Sequence, residues 1–335
     1  MGTTSYKRMQ PGRIGWLMAV LLLCSVLPAG ASRPEPPQYE PIRLIPGVAE
    51  IFGIDNRTRV SDTTEYPYSA IGQVRAWYGN SIHAGTGAMI GKKTVLTAAH
   101  VVYDWELGAP DRIEFIPALD QFREPFGRAT VRDAVIPDDW TDRQDEEYDI
   151  ALLALDESLG EQTGVIPFTV QTNTFLAGRT LKSAGYPSDL AGDRMYAVSG
   201  SGRGIEGNIL IEEIDTEFGQ SGSPIWYESG GDMFIVGVIK GTRSLTDNNG
   251  QTTIQGIGIH INGEFSNWIR ATLTRVGDST QTTPGGGGDS GDGDGNAGVP
   301  PLECGTCGAG TGQALGALTV CYAVCLVSRR TWRNS

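Results

Sequence analysis

Short runs of residues with high β-propensity recur between turn signals over most of the chain, and they constrain its fold more than any other feature. The runs cover residues 70–77, 94–97, 112–116, 150–155, 208–211 and 233–239. Many short strands of this kind predict a β-barrel or a β-sandwich. A later stretch has helical spacing instead, and its apolar stripe predicts a single helix that docks on the β-structure. The stripe consists of Phe265, Trp268, Ile269 and Leu273, and Asn262 is placed to cap the helix.

The N-terminal residues are expected to lie outside the fold. Residues 1–31 combine three basic residues, an apolar run over 14–27 and the small residues Ala29-Gly30-Ala31, which is typical of a secretory signal peptide. The apolar run is shorter than the roughly 20 residues that span a bilayer. Residues 32–50 are rich in proline and predict a propeptide or spacer. We therefore expect an exported protein, secreted or held at the cell surface.

The C-terminal residues also differ from the β-rich region. Residues 277–303 are a linker rich in glycine and aspartate, with too little apolar surface to fold, and their acidic residues match a calcium loop only weakly. Residues 304–335 combine four cysteines, a hydrophobic stretch and Arg329-Arg330, and resemble a sorting or anchoring tail. Attachment to a membrane or cell surface is thus possible. Zinc binding is the alternative, although Cys321 and Cys325 lie inside the apolar stretch, where thiolates are poorly presented to a metal.

Composition limits the fold and the partners of the region between these ends. Residues 51–276 contain no cysteine, so their fold must be stable without disulfides, which a core of this size allows. The formal net charge of −13 argues against nucleic acid as a partner, because phosphates repel an acidic surface.

Three segments carry the residue types of nucleophilic acyl transfer. The hexapeptide Gly219-Gln-Ser-Gly-Ser-Pro offers Ser221, whose hydroxyl is a poor nucleophile unless a base removes its proton. His100 follows the run 94–97 and is the candidate base, and Asp149 opens the run 150–155 and is the candidate that orients it. The backbone N–H groups of Gly219 and Ser221 are the candidate oxyanion hole. This chemistry requires no cofactor and no metal.

Together with further motifs, these segments resemble the chymotrypsin-like serine peptidases. The closest likeness is to the glutamyl endopeptidase or V8-like branch, and to its bacillary members, through residues 55–64, Gly185-Tyr-Pro187 and Asp215-Thr216. The resemblance spans residues 51–276 and implies an all-β fold of two six-stranded barrels with a C-terminal helix. It also implies a monomeric serine endopeptidase domain that cleaves protein or peptide substrates through an acyl-enzyme.

The resemblance assigns a specificity pocket as well. Thr216 matches a threonine that glutamyl enzymes place against a substrate carboxylate, while their pocket histidine aligns with the apolar Ile239. Lys240 or Arg243 substitutes for this histidine if its side chain points into the pocket. Asp215 favours a basic residue before the scissile bond (P1) if it lines the pocket, but bacillary relatives combine an aspartate here with glutamate preference, so Asp215 is interpreted as structural. The predicted substrate-binding residues are Asp215, Thr216, Ile239 and Lys240. An acidic P1 residue is the first expectation, and a basic or small apolar P1 residue is the alternative.

The sequence departs from its relatives at other positions. Digestive relatives carry an aspartate before the serine, which pairs with the new N-terminus on activation, whereas this chain has Gln220. In the V8-like group the freed N-terminus helps build the pocket, so cleavage after Glu50 is expected to matter. Gly85 and Val101 stand where some relatives have two cysteines. A catalytically inert binding module on the same fold is the alternative function.

Overall fold

The computed structural model describes residues 50–247 and 249–278. Its strands are β1 (Thr58–Arg59), β2 (Ile71–Tyr78), β3 (Ser81–Met89), β4 (Thr94–Thr97), β5 (Arg112–Pro117), β6 (Ala129–Val135), β7 (Ala151–Leu155), β8 (Thr180–Gly185), β9 (Tyr196–Glu206), β10 (Ile209–Glu212), β11 (Pro224–Ser229), β12 (Asp232–Thr246) and β13 (Thr252–His260). Its α-helices are α1 (Ala99–Val102), α2 (Asp138–Thr141), α3 (Gly160–Thr163), α4 (Asn173–Leu176) and α5 (Gly263–Arg275). The predicted signal peptide, calcium loop and C-terminal tail lie outside the described residues, as do most of the propeptide and linker.

The first half of the described chain forms a closed barrel with the strand order β2-β3-β4-β7-β6-β5. Its interior is apolar, and Val74, Leu96, Phe115 and Leu152 are fully buried there. β7 is buried along its whole length, which explains its continuous apolar sequence. The run 150–155 that the sequence marked as a strand therefore lies in the barrel wall, directly after Asp149.

The second half forms a sheet with the strand order β1-β9-β10-β13-β12-β11-β8. β8 also pairs with β9, from Thr180↔Ser201 to Gly185↔Tyr196, so six of the strands close into a ring and β1 is attached outside it. Leu181, Leu210 and Ile225 are fully buried in its core. The expectation of an all-β fold with two six-stranded barrels is confirmed.

The predicted C-terminal helix is α5, and its sequence signals act as expected. The Asn262 side chain accepts a hydrogen bond from the backbone N–H of Phe265 at 2.9 Å and so caps the first turn. Phe265, Ile269 and Leu273 are buried, and the half-buried Trp268 packs beside them. Within the described ranges, every helix is too short or too polar to cross a membrane.

The two barrels contact each other where β3 passes the end of β8. There the backbone N–H of Tyr186 donates a hydrogen bond to Thr86 Oγ1 at 3.2 Å. The loops that follow β4, precede β7 and precede β11 meet near this contact. These three loops carry His100, Asp149 and Ser221, so the contact between the barrels determines where the candidate site lies.

Candidate active site

His100 and Asp149 come from neighbouring strands of the first barrel. β4 and β7 are antiparallel and Thr97 pairs with Ala151, so α1 lies beside the residues that lead into β7. His100 Nδ1 lies 2.6 Å from Asp149 Oδ2, and the His100 backbone N–H donates to Asp149 Oδ1 at 2.9 Å. Both carboxylate oxygens contact the same histidine, which fixes the orientation of its ring.

The surroundings of Asp149 favour its ionised form. The side chain is fully buried, and burial by itself raises the pKa of a carboxyl group. The charge and hydrogen bonds of His100, with a smaller contribution from the charge of Lys240, outweigh burial and hold the pKa of Asp149 below its ordinary value. An ionised Asp149 keeps the proton of a neutral imidazole on Nδ1. Nε2 is then the basic atom, and it is buried without a hydrogen-bond partner among the described residues.

The loop that carries Ser221 belongs to the second barrel but is bound to the first. The Ser221 carbonyl oxygen accepts a hydrogen bond from the backbone N–H of Thr86 at 2.8 Å. Thr86 Oγ1 donates a second bond to the Gly219 carbonyl oxygen, also at 2.8 Å. A methyl group on Gly222 would lie 2.2 Å from the Thr86 carbonyl oxygen and 2.2 Å from Thr97 Oγ1, so only glycine allows the loop to approach this closely.

Gly85 connects the serine loop with the helix of the candidate base. A methyl group on Gly85 would lie 2.6 Å from the Val101 side chain and 3.0 Å from the Ser221 carbonyl oxygen. Val101 directly follows His100, so the serine loop and the helix with His100 both contact the backbone of β3 at Gly85. Gly85 and Val101, where some relatives carry cysteines, are thus in direct contact.

The backbone of the serine loop leaves two N–H groups available. Gly219 has φ +89°, and a methyl group on it would lie 2.3 Å from the Tyr186 carbonyl oxygen. The buried Gln220 fixes the loop from within, because its Oε1 accepts a hydrogen bond from the Glu217 N–H at 3.0 Å. Over the described residues, the N–H groups of Gly219 and Ser221 donate no hydrogen bond. The loop therefore has the free donors that an oxyanion hole requires.

Asp215 is bound to the N-terminal segment. Its Oδ1 accepts a hydrogen bond from the Phe52 N–H at 2.7 Å, and its Oδ2 accepts one from the Asn56 N–H at 3.0 Å. The residue is only 1% exposed. Because both carboxylate oxygens already have backbone partners, Asp215 holds this segment in place, and its contact with a substrate stays a prediction. The structural interpretation of Asp215 is the one that its geometry favours.

Thr216 and Ile239 differ in what they offer a ligand. Thr216 pairs with Glu50, each N–H donating to the other's carbonyl oxygen at 3.1 Å, and its buried hydroxyl has no partner within the described ranges. Ile239 is 1% exposed and packs in the core of the second barrel. Its backbone holds the serine loop through Ser223 O and Gly222 N–H, both at 2.8 Å. Thr216 thus offers a polar group, whereas Ile239 supports the loop.

Lys240 binds the first barrel. Its Nζ donates hydrogen bonds to the Glu146 carbonyl oxygen at 2.9 Å and to Glu146 Oε2 at 3.0 Å. Glu146 begins a short 3-10 turn, Glu146–Tyr148, that leads directly into Asp149. The ammonium group of Lys240 is therefore held by a carboxylate and a carbonyl of the protein itself, and its contact with a substrate stays a prediction.

Comparison with known proteins identifies the family to which this arrangement belongs. The family model described as trypsin matches residues 56–269, which include all three triad candidates and the hexapeptide. The chain belongs to the trypsin family. Its resemblance to the glutamyl endopeptidase branch is confirmed by the relatives that it matches.

Curated relatives of this trypsin-family chain come from bacteria. It is 34% identical over 183 residues to a glutamyl endopeptidase of Bacillus licheniformis, covering 54% of this chain and 56% of the relative. It is 30% identical over 220 residues to a Bacillus subtilis protein named extracellular metalloprotease, covering 65% and 64%. A glutamyl endopeptidase of Staphylococcus aureus is 25% identical over 181 residues, covering 52% of each. The chain therefore spans between half and two thirds of the length of these relatives.

Solved structures show the same fold. A Glu endopeptidase in complex with MPD is similar with a TM-score of 0.56 and 26% identity, covering 67% of this chain and all of that one. The protease Anisep from Arthrobacter nicotinovorans has a TM-score of 0.51 and 20% identity, covering 63% and 97%. The second likeness supports the fold alone.

The burial of one glutamate in the trypsin-family domain was not predicted from the sequence. Glu212 and Glu213 follow each other and resemble an exposed acidic pair, but Glu212 is fully buried. Its Oε2 accepts a hydrogen bond from the Ile214 N–H, and its Oε1 has no partner in the described part of the chain. Burial raises the pKa of Glu212 to about 8; the Ile214 N–H opposes this increase, and the charges of Asp215 and Glu213 add to it.

One relative is named a metalloprotease, so the arrangement of possible metal ligands bears on the site. Among the described residues, no group of three or more histidine, cysteine, aspartate or glutamate side chains is arranged to hold a metal ion.

Proposed function

We propose that this chain is an exported serine endopeptidase that hydrolyses peptide bonds through an acyl-enzyme, with His100, Asp149 and Ser221 as its triad. One observation carries the proposal: His100 is bound through Nδ1 to a fully buried carboxylate, its Nε2 is without a partner among the described residues, and its helix lies beside the serine loop. A neutral histidine held in this way is the base that a serine hydroxyl needs.

Each step of the proposed reaction uses a group of this chain. His100 Nε2 takes the proton of Ser221 Oγ as this oxygen attacks the substrate carbonyl carbon. The negative charge that forms on the carbonyl oxygen is bound by the N–H groups of Gly219 and Ser221. Asp149 stabilises the imidazolium, which then donates its proton to the leaving amine as the C–N bond breaks. Water, activated by the same histidine, hydrolyses the acyl-enzyme. No cofactor takes part in these steps.

An acidic P1 residue is part of the proposal. Two matched relatives carry the name glutamyl endopeptidase. Thr216 offers a buried hydroxyl without a partner in the described region, and a hydroxyl can donate a hydrogen bond to a carboxylate. Asp215 and Lys240 are bound to protein groups, so Thr216 is the member of the predicted set that is left for this contact. A peptide library that varies P1 tests the preference, and selection of basic or small apolar residues would contradict it.

Removal of the propeptide is the proposed activation step. Glu50 pairs with the backbone of Thr216, and Asp215 holds the N–H of Phe52. Cleavage after Glu50 would release this pairing and create a free amine at Ile51 close to the Asp215 carboxylate. The glutamate before that bond is the residue that the proposed specificity accepts. N-terminal sequencing of the mature protein is expected to begin at Ile51, and a start elsewhere would refute this step.

Covalent labelling tests the reaction itself. A fluorophosphonate probe should label the wild-type chain, freed of residues 32–50, at Ser221. Ser221→Ala should lose labelling and lower kcat by about a millionfold, the scale observed when a triad serine is removed. Ser229→Ala, at the exposed end of β11, is the matched control and should behave as wild type. An unlabelled wild type would favour the inert binding module.

Location and partners complete the proposal. We propose a protein that is secreted or held at the cell surface, acts on protein or peptide substrates as a monomeric domain and does not bind nucleic acid. The name of the Bacillus subtilis relative, extracellular metalloprotease, supports export. Immunodetection of the protein in culture medium and in the membrane fraction separates secretion from attachment through residues 304–335.

A further inference from the structure

Lys240 stands directly beside the backbone that holds the serine loop. It lies on β12 after Ile239, whose N–H donates to the Ser223 carbonyl oxygen and whose carbonyl oxygen accepts from the Gly222 N–H. The strand then continues with Gly241 at φ +150°, where the pairing register with β13 shifts. The backbone position of Lys240 is therefore coupled to that of the loop that carries Ser221.

From this position the Lys240 side chain crosses to the other barrel. Its Nζ donates to the Glu146 carbonyl oxygen at 2.9 Å and to Glu146 Oε2 at 3.0 Å. The Lys240 side chain is 11% exposed, whereas that of Glu146 is 56% exposed. An ion pair with an exposed carboxylate contributes little, because water screens it. The bond to the carbonyl oxygen is different, since it fixes the single turn that ends at Asp149.

The charge of Lys240 also reaches the buried carboxylate. Asp149 has no exposed surface, so its negative charge depends on nearby positive groups and donors. The charge and hydrogen bonds of His100 lower the pKa of Asp149, and the charge of Lys240 lowers it further. The bond from Lys240 to the turn before Asp149 thus acts on the same residue as its charge, which helps to lower the pKa of Asp149.

We propose that Lys240 is a positioning residue that fixes the turn carrying Asp149 relative to the serine loop, and so orients His100 toward Ser221. This role rests on the proposed serine endopeptidase function and adds to it a residue that touches neither substrate nor nucleophile. It predicts that loss of Lys240 slows the chemical step and leaves substrate binding unchanged.

Four variants of the full chain, processed in the same way as wild type, test the role on a peptide substrate. Lys240→Met should lower kcat by about ten- to a hundredfold and leave KM within about twofold. A displacement of the reacting groups by up to about 1 Å produces a loss of this size. Lys240→Arg, which keeps the charge and the donors, should recover most of kcat. Glu146→Gln keeps the carbonyl contact and should remain close to wild type. Lys182→Met removes an exposed pair with Glu228 at 2.8 Å and is the matched control.

The rate of fluorophosphonate labelling separates the possible results. Slower labelling of Lys240→Met, with rescue by Lys240→Arg, supports the positioning role. If Lys240→Met reacts as fast as wild type, or if Lys240→Arg is as slow as Lys240→Met, the role is refuted while the endopeptidase proposal stands. If wild type itself neither reacts nor hydrolyses, both proposals fall. Should circular dichroism show that Lys240→Met is unfolded, Lys240→Gln replaces it with the same expected loss in kcat.

Discussion

The buried carboxyl of Glu212 should make the stability of this protein fall with rising pH. The side chain has no exposed surface, and its Oε1 is without a hydrogen-bond partner among the residues that the structure describes. Burial raises its pKa from the ordinary value of 4.5 to about 8, against the opposing hydrogen bond from the Ile214 N–H. The folded protein therefore keeps this carboxyl protonated at neutral pH, whereas the unfolded chain releases the proton.

The sign and size of the effect follow from this difference. A group whose pKa is raised by folding stabilises the folded state fully below its unfolded value, and the contribution is lost as the pH rises through the folded value. For Glu212 the window runs from 4.5 to about 8, which is about 3.5 pH units. At about 1.4 kcal/mol per unit, the contribution of Glu212 to the free energy of unfolding should fall by up to about 5 kcal/mol across it. This is a large share of the 5 to 15 kcal/mol that is typical of a domain.

Replacement of Glu212 by glutamine should remove this pH dependence. The amide has nearly the same shape, keeps an acceptor for the Ile214 N–H and cannot ionise. Denaturant unfolding between pH 4.5 and 9, in a Ser221→Ala background that prevents self-digestion, should show Glu212→Gln gaining stability over its parent as the pH rises. Glu157→Gln, at an exposed residue that does not influence Glu212, is the control and should follow the parent. Parallel curves for Glu212→Gln and its parent would show that Glu212 is ionised in the folded state and refute the reasoning.

Three further changes address the site and the fold. Gly219→Ala places a methyl group 2.3 Å from the Tyr186 carbonyl oxygen at φ +89°, so it should displace the N–H of residue 219 and lower kcat by about a hundredfold, the scale of a lost oxyanion donor; a fully active variant would speak against the proposed hole. Asp149→Asn should lower kcat by about ten thousandfold at neutral pH because His100 takes the wrong tautomer, and retention of activity would speak against the triad. Asn262→Ala should reduce the free energy of unfolding by about 1 kcal/mol, measured by denaturant titration, and an unchanged midpoint would show that the cap is dispensable.

Features that depend on local sequence could be predicted well. The cap and apolar stripe of α5 follow from residue spacing, because a helix end and a helix face are made by residues close together in the chain. His100 and Asp149 each stand beside a strand, and the pairing of those strands brings them together. The closure into two barrels came from the resemblance to a family, since periodicity alone left a sandwich equally open.

Features that depend on distant partners could not be predicted. Asp215 and Lys240 were assigned to the pocket through the resemblance to the family, and each has a partner far away in the chain that the sequence did not indicate. Glu212 gave no signal at all, since a pair of glutamates beside a strand is usually solvated. In all three cases the type of residue was plain from the sequence, and its environment was set by the packing of another segment against it.

The arrangement of these contacts shows why the candidate site depends on both barrels. The loop with Ser221 is bonded to its own barrel through Ile239 and to the first barrel through Thr86, whose N–H and hydroxyl both reach it. Lys240 makes the opposite connection, from the second barrel to the turn before Asp149. A shift of one barrel against the other would therefore displace both the serine loop and the Asp149 turn, because each of them is bonded to the opposite barrel. The bond between His100 and Asp149 would remain, because both residues belong to the first barrel. Activity should thus respond to changes at the contact between the barrels far more than the integrity of the His100–Asp149 pair does.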